Sequence, residues 1–179
     1  MNLEALRGQF RRKNVRAYDV DKSVRETYAR EMSEELGVEV VAVDSAERAV
    51  RESDIVVTAG PILRKPHATI QPGWLAEGAF AALVDFDSYW SAAALREVDK
   101  FCTDDVRQME HYRGMGYFQD VPPVYADLSE LVMGRKPGRE TKQERTMACN
   151  LGLALEDIVT AQLVYRRARE KGVGRWMEL

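Results

Sequence analysis

Three places in this chain of 179 residues put acids or very small residues where an apolar run stops. In FAALVDFDSYW, Phe80 to Trp90, two carboxylates stand one residue apart, Asp85 and Asp87, followed by Tyr89 and Trp90. Strand alternation sets both acids on one face if the strand continues. Like-charge repulsion then raises the pKa of one, which suits a group that moves protons near neutral pH. The alternative is that Asp85 only caps the following turn. In YDVD, Asp19 ends a second run. An acid there can accept hydrogen bonds from both hydroxyls of an adenosine ribose and repels a 2′-phosphate, which favours NAD over NADP; S-adenosylmethionine sites use the same device. Its alternative is a helix N-cap, a role open equally to Asp21 or Ser23. In TAGP, Thr58 to Pro61, small residues allow close approach of backbone to a ring or ribose, or simply make a turn.

The elements that carry these residues are legible from periodicity. Leu3, Leu6 and Phe10 recur at helical spacing. VRAYDV (15–20) reads as a strand. DKSVRETYAREMSEELG follows as an amphipathic helix, with Ser23 and Glu26 as a capping box and Gly37 as its stop. VEVVAVD (38–44) is a second strand, and Asp44 with Glu47 can cap a short helix before a third, DIVVTAG (54–60). A proline-punctuated loop leads to the strand GAFAALVDFD, then SAAALREVD as helix, KFCTDD as strand and DVRQMEHYRG as helix. LSELVMG is a helix, and LALEDIVTAQLVYRRAREKG closes the chain with Leu151, Leu155, Ile158, Gln162 and Tyr165 along one stripe. Short apolar strands alternating with helices predict an α/β, Rossmann-like parallel sheet with helices on both faces. Ligands of such sheets bind beyond the C-terminal strand ends.

Composition narrows the function classes. Hydrophobic residues make up 45% and charged ones 31%, with a net charge of −3. That is a globular composition with no electrostatic footprint for nucleic acid. The basic clusters Arg11–Lys13 and Arg166–Arg169 read as solvated helix surface. Cys102 and Cys149 have no CxxC partner, and His67 and His111 stand alone. Free buried thiols and no metal site are expected. No run is long enough to span a bilayer and no signal peptide opens the chain, so a cytoplasmic location is expected.

The order YDVD, a helix, AERAVRESDIVVTAG, QPGWLAEGAFAALVDFD, then GRKPGRETKQERTMACNLGLALEDIVTAQLVYRRAREKGVG resembles the ornithine cyclodeaminase and mu-crystallin family. That family includes alanine dehydrogenases and ketimine reductases, and the resemblance runs from about Asn2 to Leu179. It implies NAD as cofactor, with Asp87 at the position of the catalytic aspartate. It also implies a cofactor site drawn from Asp19, Asp21, Thr58, Ala59, Gly60, Leu83, Val84, Asp85 and Asn150. In the cyclodeaminase reaction NAD takes hydride from the substrate α-carbon, the side-chain amine attacks the imine, ammonia leaves and the hydride returns. The aspartate handles protons at nitrogen. GRKPGRE matches too, either as a basic loop or as a ligand contact.

The same resemblance marks departures. Residues 1–179 correspond to a single, truncated dinucleotide-binding domain, with 145–179 as its closing helix region. The family's N-terminal domain, its first strand and its glycine-rich phosphate loop are not found. GMG at Gly114–Gly116 follows a helix and does not replace that loop. The missing strand would lie between the strands at Val15 and Asp54, leaving two open sheet edges, so a homo-oligomer is expected. Weak NAD binding and no turnover are expected of the chain by itself, because phosphate-cradling amides are absent. Asp85 and Phe86 replace two glycines of cyclodeaminases, and Ser88, Tyr89 and Trp90 replace their proline, glycine and lysine. Two bulky aromatics would reshape the pocket, which points to an amino or imino acid other than ornithine. The competing expectations are a non-catalytic ligand-binding protein of the mu-crystallin kind and an inactive oligomerising fragment.

Overall fold

The computed structural model describes residues 2–10 and 14–177, so the basic cluster expected at Arg11–Lys13 lies outside the described residues. Helix α1 (Asn2–Gln9) precedes β1 (Val15–Ala17), α2 (Lys22–Leu36), β2 (Val40–Ala42), α3 (Ala46–Val50) and β3 (Ile55–Thr58). Then follow β4 (Phe80–Leu83), α4 (Ala92–Leu95), β5 (Lys100–Thr103), α5 (Val106–Gly114), β6 (Ala126–Asp127), α6 (Leu128–Val132), β7 (Thr146–Cys149) and α7 (Ala154–Glu170).

Local chemistry sets the boundaries. The N-cap of α2 is Asp21, which accepts from the Ser23 and Val24 N–H groups, rather than the expected Ser23 box; Gly37 at φ 61° ends the helix as expected. Ser45, not Asp44, caps α3. Asp105 caps α5, and Asp127 with Glu130 forms a capping box on α6.

Every strand pairing is parallel, and the described strands divide into two sheets: β1–β2, and a five-stranded sheet in the order β3-β4-β7-β5-β6. β7 was not expected from the sequence, yet it lies at the centre of the larger sheet. β1 and β3, the strands that flank the expected gap, do not pair with each other. The smaller sheet has its own core of Leu3, Ala29, Leu36 and Val40. The larger sheet turns Val56, Ala81, Leu83, Phe101, Met147 and Cys149 into the main core, against Trp90, Leu95, Met109 and Phe118. On β4 and β7 the alternate residues Phe80, Ala82, Thr146 and Ala148 are half-buried on the other face.

GRKPGRE runs across the N-terminal end of the large sheet. There Arg139 donates to the carbonyls of Gly78 and Ala79 and to Thr146 Oγ1. Lys100 donates to the Gly138 carbonyl at 2.6 Å and pairs with Glu140 at 2.5 Å. The segment binds its own protein's backbone, as a basic loop, at the end opposite the strand tips. Helix α7 has no buried residue, and Leu155, Ile158 and Tyr165 of its stripe are exposed. No helix among the described residues is long and apolar enough to cross a membrane.

Candidate functional site

Strand register brings the C-terminal ends into one row. Thr58 lies opposite Leu83, Leu83 opposite Cys149, Cys149 opposite Thr103, and Thr103 opposite Asp127. Each acid singled out in the central strands lies just past this row, where the backbone stops pairing and side chains meet solvent or ligand.

The two carboxylates of β4 do not share a face. Strand pairing ends at Leu83, and Phe86, at φ 60°, turns the chain between the acids. Asp85, 0% exposed, reaches sideways to β3. It accepts from Thr58 Oγ1 at 2.7 Å and from the Gly60 N–H at 3.0 Å. Burial raises its pKa, and those two hydrogen bonds oppose the rise. Its backbone carbonyl accepts from Ser88 Oγ at 2.5 Å, while the hydrogen bonds of its carboxylate go to the β3 end.

Asp87, 2% exposed, reaches the other way, toward the segment after α5. Burial is the first cause that raises its pKa; the Phe118 backbone hydrogen bond lowers it, and Asp120 and Asp85 raise it further. Desolvation, more than the neighbouring acid, therefore tunes this group. Its Oδ1 is buried with no hydrogen-bond partner among the described residues. A buried acceptor left open in this way carries a desolvation cost that a donor from outside can relieve.

The two aromatics after Asp87 part company. Trp90 is buried in the core with its Nε1 at 3.5 Å from Thr58 Oγ1. Tyr89 lies on Gly60, where an added Cβ would sit 2.5 Å from the ring, and its hydroxyl donates to the Pro61 carbonyl. Burial raises the Tyr89 pKa, and the charges of Asp85 and then Asp19 add to that rise, so Tyr89 lies within electrostatic reach of the β1 and β4 tips together. Only one of the two rings, then, is set to reshape the crevice.

Asp19 accepts from the Asp21 N–H through Oδ1 at 2.8 Å, and its Oδ2 has no partner among the described residues. Asp21 is occupied by the cap of α2. Leu83 turns into the core instead of the crevice, and its carbonyl accepts from the Asn150 N–H at 2.8 Å. Val84 is exposed at the tip.

Sequence reasoning gave Asp104 only the start of the following helix, a role that Asp105 takes, and assigned it no place in the site. Its Oδ2 accepts from the Leu151 and Gly152 N–H groups at 2.7 and 2.6 Å, pinning the turn that carries Asn150 into α7. The acid-rich end of KFCTDD was the signal; its partners, 47 and 48 residues away, were not visible. Between these acids Cys149 is fully buried, and burial followed by the charges of Asp87, Asp104 and Asp85 pushes its thiol well above its ordinary value. Both cysteines are free and buried, as expected.

A parallel sheet with acids and small residues at its C-terminal ends defines a Rossmann-like α/β protein. The chain belongs to the Ornithine cyclodeaminase/mu-crystallin family, which it matches over residues 1–172. It is 32% identical over 184 aligned positions to the alanine dehydrogenase of Archaeoglobus fulgidus, covering 96% of this chain and 54% of that protein. The structure of Thermococcus litoralis Delta(1)-pyrroline-2-carboxylate reductase, solved with NADH and L-proline, superposes with a TM-score of 0.83 at 30% identity, over 98% of this chain and 56% of that one. An archaeal alanine dehydrogenase dimer with bound NAD gives a TM-score of 0.80 at 28% identity, over 99% and 56%. The chain thus spans about half the length of these relatives.

Proposed function

We propose that this chain is the dinucleotide-holding part of an NAD-dependent enzyme that oxidises an amino acid or reduces an imino acid, with Asp87 moving the proton at substrate nitrogen. The observation that carries the reading is the partnerless, buried Oδ1 of Asp87 at the mouth of a parallel sheet. NAD supplies a hydride acceptor, or in reduced form a donor. The residues present fit such a group: Asp19 has an open Oδ2 for ribose hydroxyls, and Asp85 holds Thr58, Ala59 and Gly60 in a fixed turn beside it. Asn150 and Val84 stand at the same row of strand ends.

Burial favours the neutral form of Asp87, so it can hold a proton at higher pH than an ordinary carboxyl. When a substrate ammonium or iminium group approaches, its charge favours the carboxylate, and the proton can pass to or from nitrogen without solvent. Dehydrogenation or imine reduction fits better than ornithine cyclisation. The named relatives are an alanine dehydrogenase and a pyrroline-carboxylate reductase, and Tyr89 lies over Gly60 where cyclodeaminases have a much smaller residue after the aspartate.

Two measurements test this. NADH titrated against the chain by calorimetry should bind weakly, with Asp19→Ala weakening it further. In the complete polypeptide that carries this segment, Asp87→Asn should lower turnover of L-alanine or L-proline by a factor of about 100 or more while NADH binding persists. Unchanged turnover in that variant removes Asp87 from the chemistry.

A further inference from the structure

Two phenylalanines hold backbone conformations that bulky residues rarely adopt, and both sit against Asp87. Phe86, at φ 60°, is the residue before it. Phe118, at φ 54°, lies in the segment after α5, and its backbone hydrogen-bonds the Asp87 carboxyl. Among the described residues only Glu52 and Ala68 share this left-handed geometry without being glycine. Such a turn costs glycine nothing sterically but strains a bulky residue, so each ring must return in packing what its backbone loses.

The packing is mutual. The Phe86 and Phe118 rings lie 4.7 Å apart between centroids, tilted by 43°, and both residues are buried. Tyr112 of α5, at 5.1 Å, and Tyr117, edge-on at 5.5 Å, complete the cage around Phe86. Aromatic pairs in these arrangements attract beyond what their buried area supplies. The cage is also tied through the main chain. Arg113 Nε donates to the Phe118 carbonyl at 3.3 Å, and the Tyr117 N–H donates to the Tyr112 carbonyl at 3.2 Å.

We propose that Phe86 and Phe118 are positioning residues for Asp87: two left-handed turns, locked by contact between their rings, hold its carboxyl in the interior with Oδ1 left open. Glycine could make either turn; only the ring can fix it. The brace stops the carboxyl from swinging out to water, so the acceptor stays free for a donor from outside the protein. This deepens the functional reading above and rests on it, because it takes Asp87 as the proton carrier.

Carbon-detected NMR of the Asp87 carboxyl, titrated against pH in the full chain, tests it, with Asp87→Asn assigning the signal. Phe86→Gly keeps the turn accessible and removes the ring, so the carboxyl meets water. Burial is the first cause of its raised pKa, and its midpoint should therefore fall toward the ordinary carboxyl value. Phe86→Tyr keeps the ring and should keep the wild-type midpoint. Phe118→Leu keeps bulk without the ring contact; it should shift the midpoint the same way, and it decides the matter if the glycine variant does not fold. Asp120 and Asp85, the charges that act on Asp87, are present throughout, and the buried Cys149 thiol stays neutral, so the shift reports burial. A midpoint unmoved in the ring variants overturns the proposal. In the complete polypeptide, Phe86→Gly should lower turnover of L-alanine or L-proline by a factor of about 100, as misplacing a reacting group does. A midpoint that falls while turnover stays at the wild-type level supports the brace and overturns the assignment of proton transfer to Asp87.

Discussion

The Tyr89 ring lies flat enough on Gly60 that a Cβ at residue 60 would fall 2.5 Å from its Cε2 and 2.6 Å from its hydroxyl oxygen. Glycine at this position is thus a steric requirement of the tyrosine, not of the backbone, whose φ at Gly60 is not positive. Gly60→Ala should displace the ring, break its bond to the Pro61 carbonyl and cost about 1–3 kcal/mol, as overpacking does. Adding Tyr89→Ala should recover most of that loss. Additive losses in a double-mutant cycle by urea unfolding would falsify the contact.

The Asp85 carboxylate serves two donors of the neighbouring strand end. Thr58→Val removes one and should cost about 1–2 kcal/mol; Asp85→Ala leaves both donors without it and should cost roughly 3 kcal/mol. Equal costs for the two variants in chemical denaturation would contradict this division.

Burial raises the pKa of Asp87 in the folded state. Between the ordinary carboxyl value and the raised one, the folded protein retains a proton that the unfolded chain has released. Stability from this group therefore falls as pH rises through that window and is level above it. Asp87→Asn removes the titration, so the variant should gain stability relative to wild type as pH increases from 4. Unfolding curves at several pH values check this; a variant that loses stability relative to wild type as pH rises contradicts it.

Asp104 is the tie between the β5 end and the turn entering α7. Asp104→Ala strands two N–H groups and should cost about 3 kcal/mol. Hydrogen exchange should localise the damage at Leu151 and Gly152. Protection retained at both amides would show that the carboxylate does not hold them.

β1 and β3 each keep one unpaired edge among the described strands. Such edges recruit other strands. Sedimentation velocity of the isolated chain should reveal concentration-dependent association, and a monodisperse monomer across the accessible concentration range would contradict it.

Much of this architecture was readable beforehand because its signals are local. Gly37 stops a helix by adopting φ 61°, and the apolar runs at Ile55–Thr58 and Phe80–Leu83 are strands wherever they pair. The strand Thr146–Cys149 escaped notice for a physical reason. Of Thr, Met, Ala and Cys only Thr146 is β-branched, a weak strand signal, and its strand character comes from two neighbours that pair with it on either side. Asp19, Thr58–Gly60 and Asp87 could be marked from residue type at strand ends. What Asp85 and Asp104 touch could not, since their partners lie at least 25 and 47 positions away. The expected charge repulsion between Asp85 and Asp87 failed as the leading effect because one positive φ at Phe86 sends the two side chains in opposite directions.

The two separate cores have a mechanical consequence. The small sheet with α1 and α2 packs on Leu3, Ala29, Leu36 and Val40, while the large sheet packs on a different set. Polar ties between them include Arg16, donating to the Arg48 carbonyl and Ser53 Oγ beside α3. A ligand gripped at once by Asp19 on one side and by the Gly60 turn on the other would fasten the two cores to each other, and the loaded protein should melt at a higher temperature than the free one.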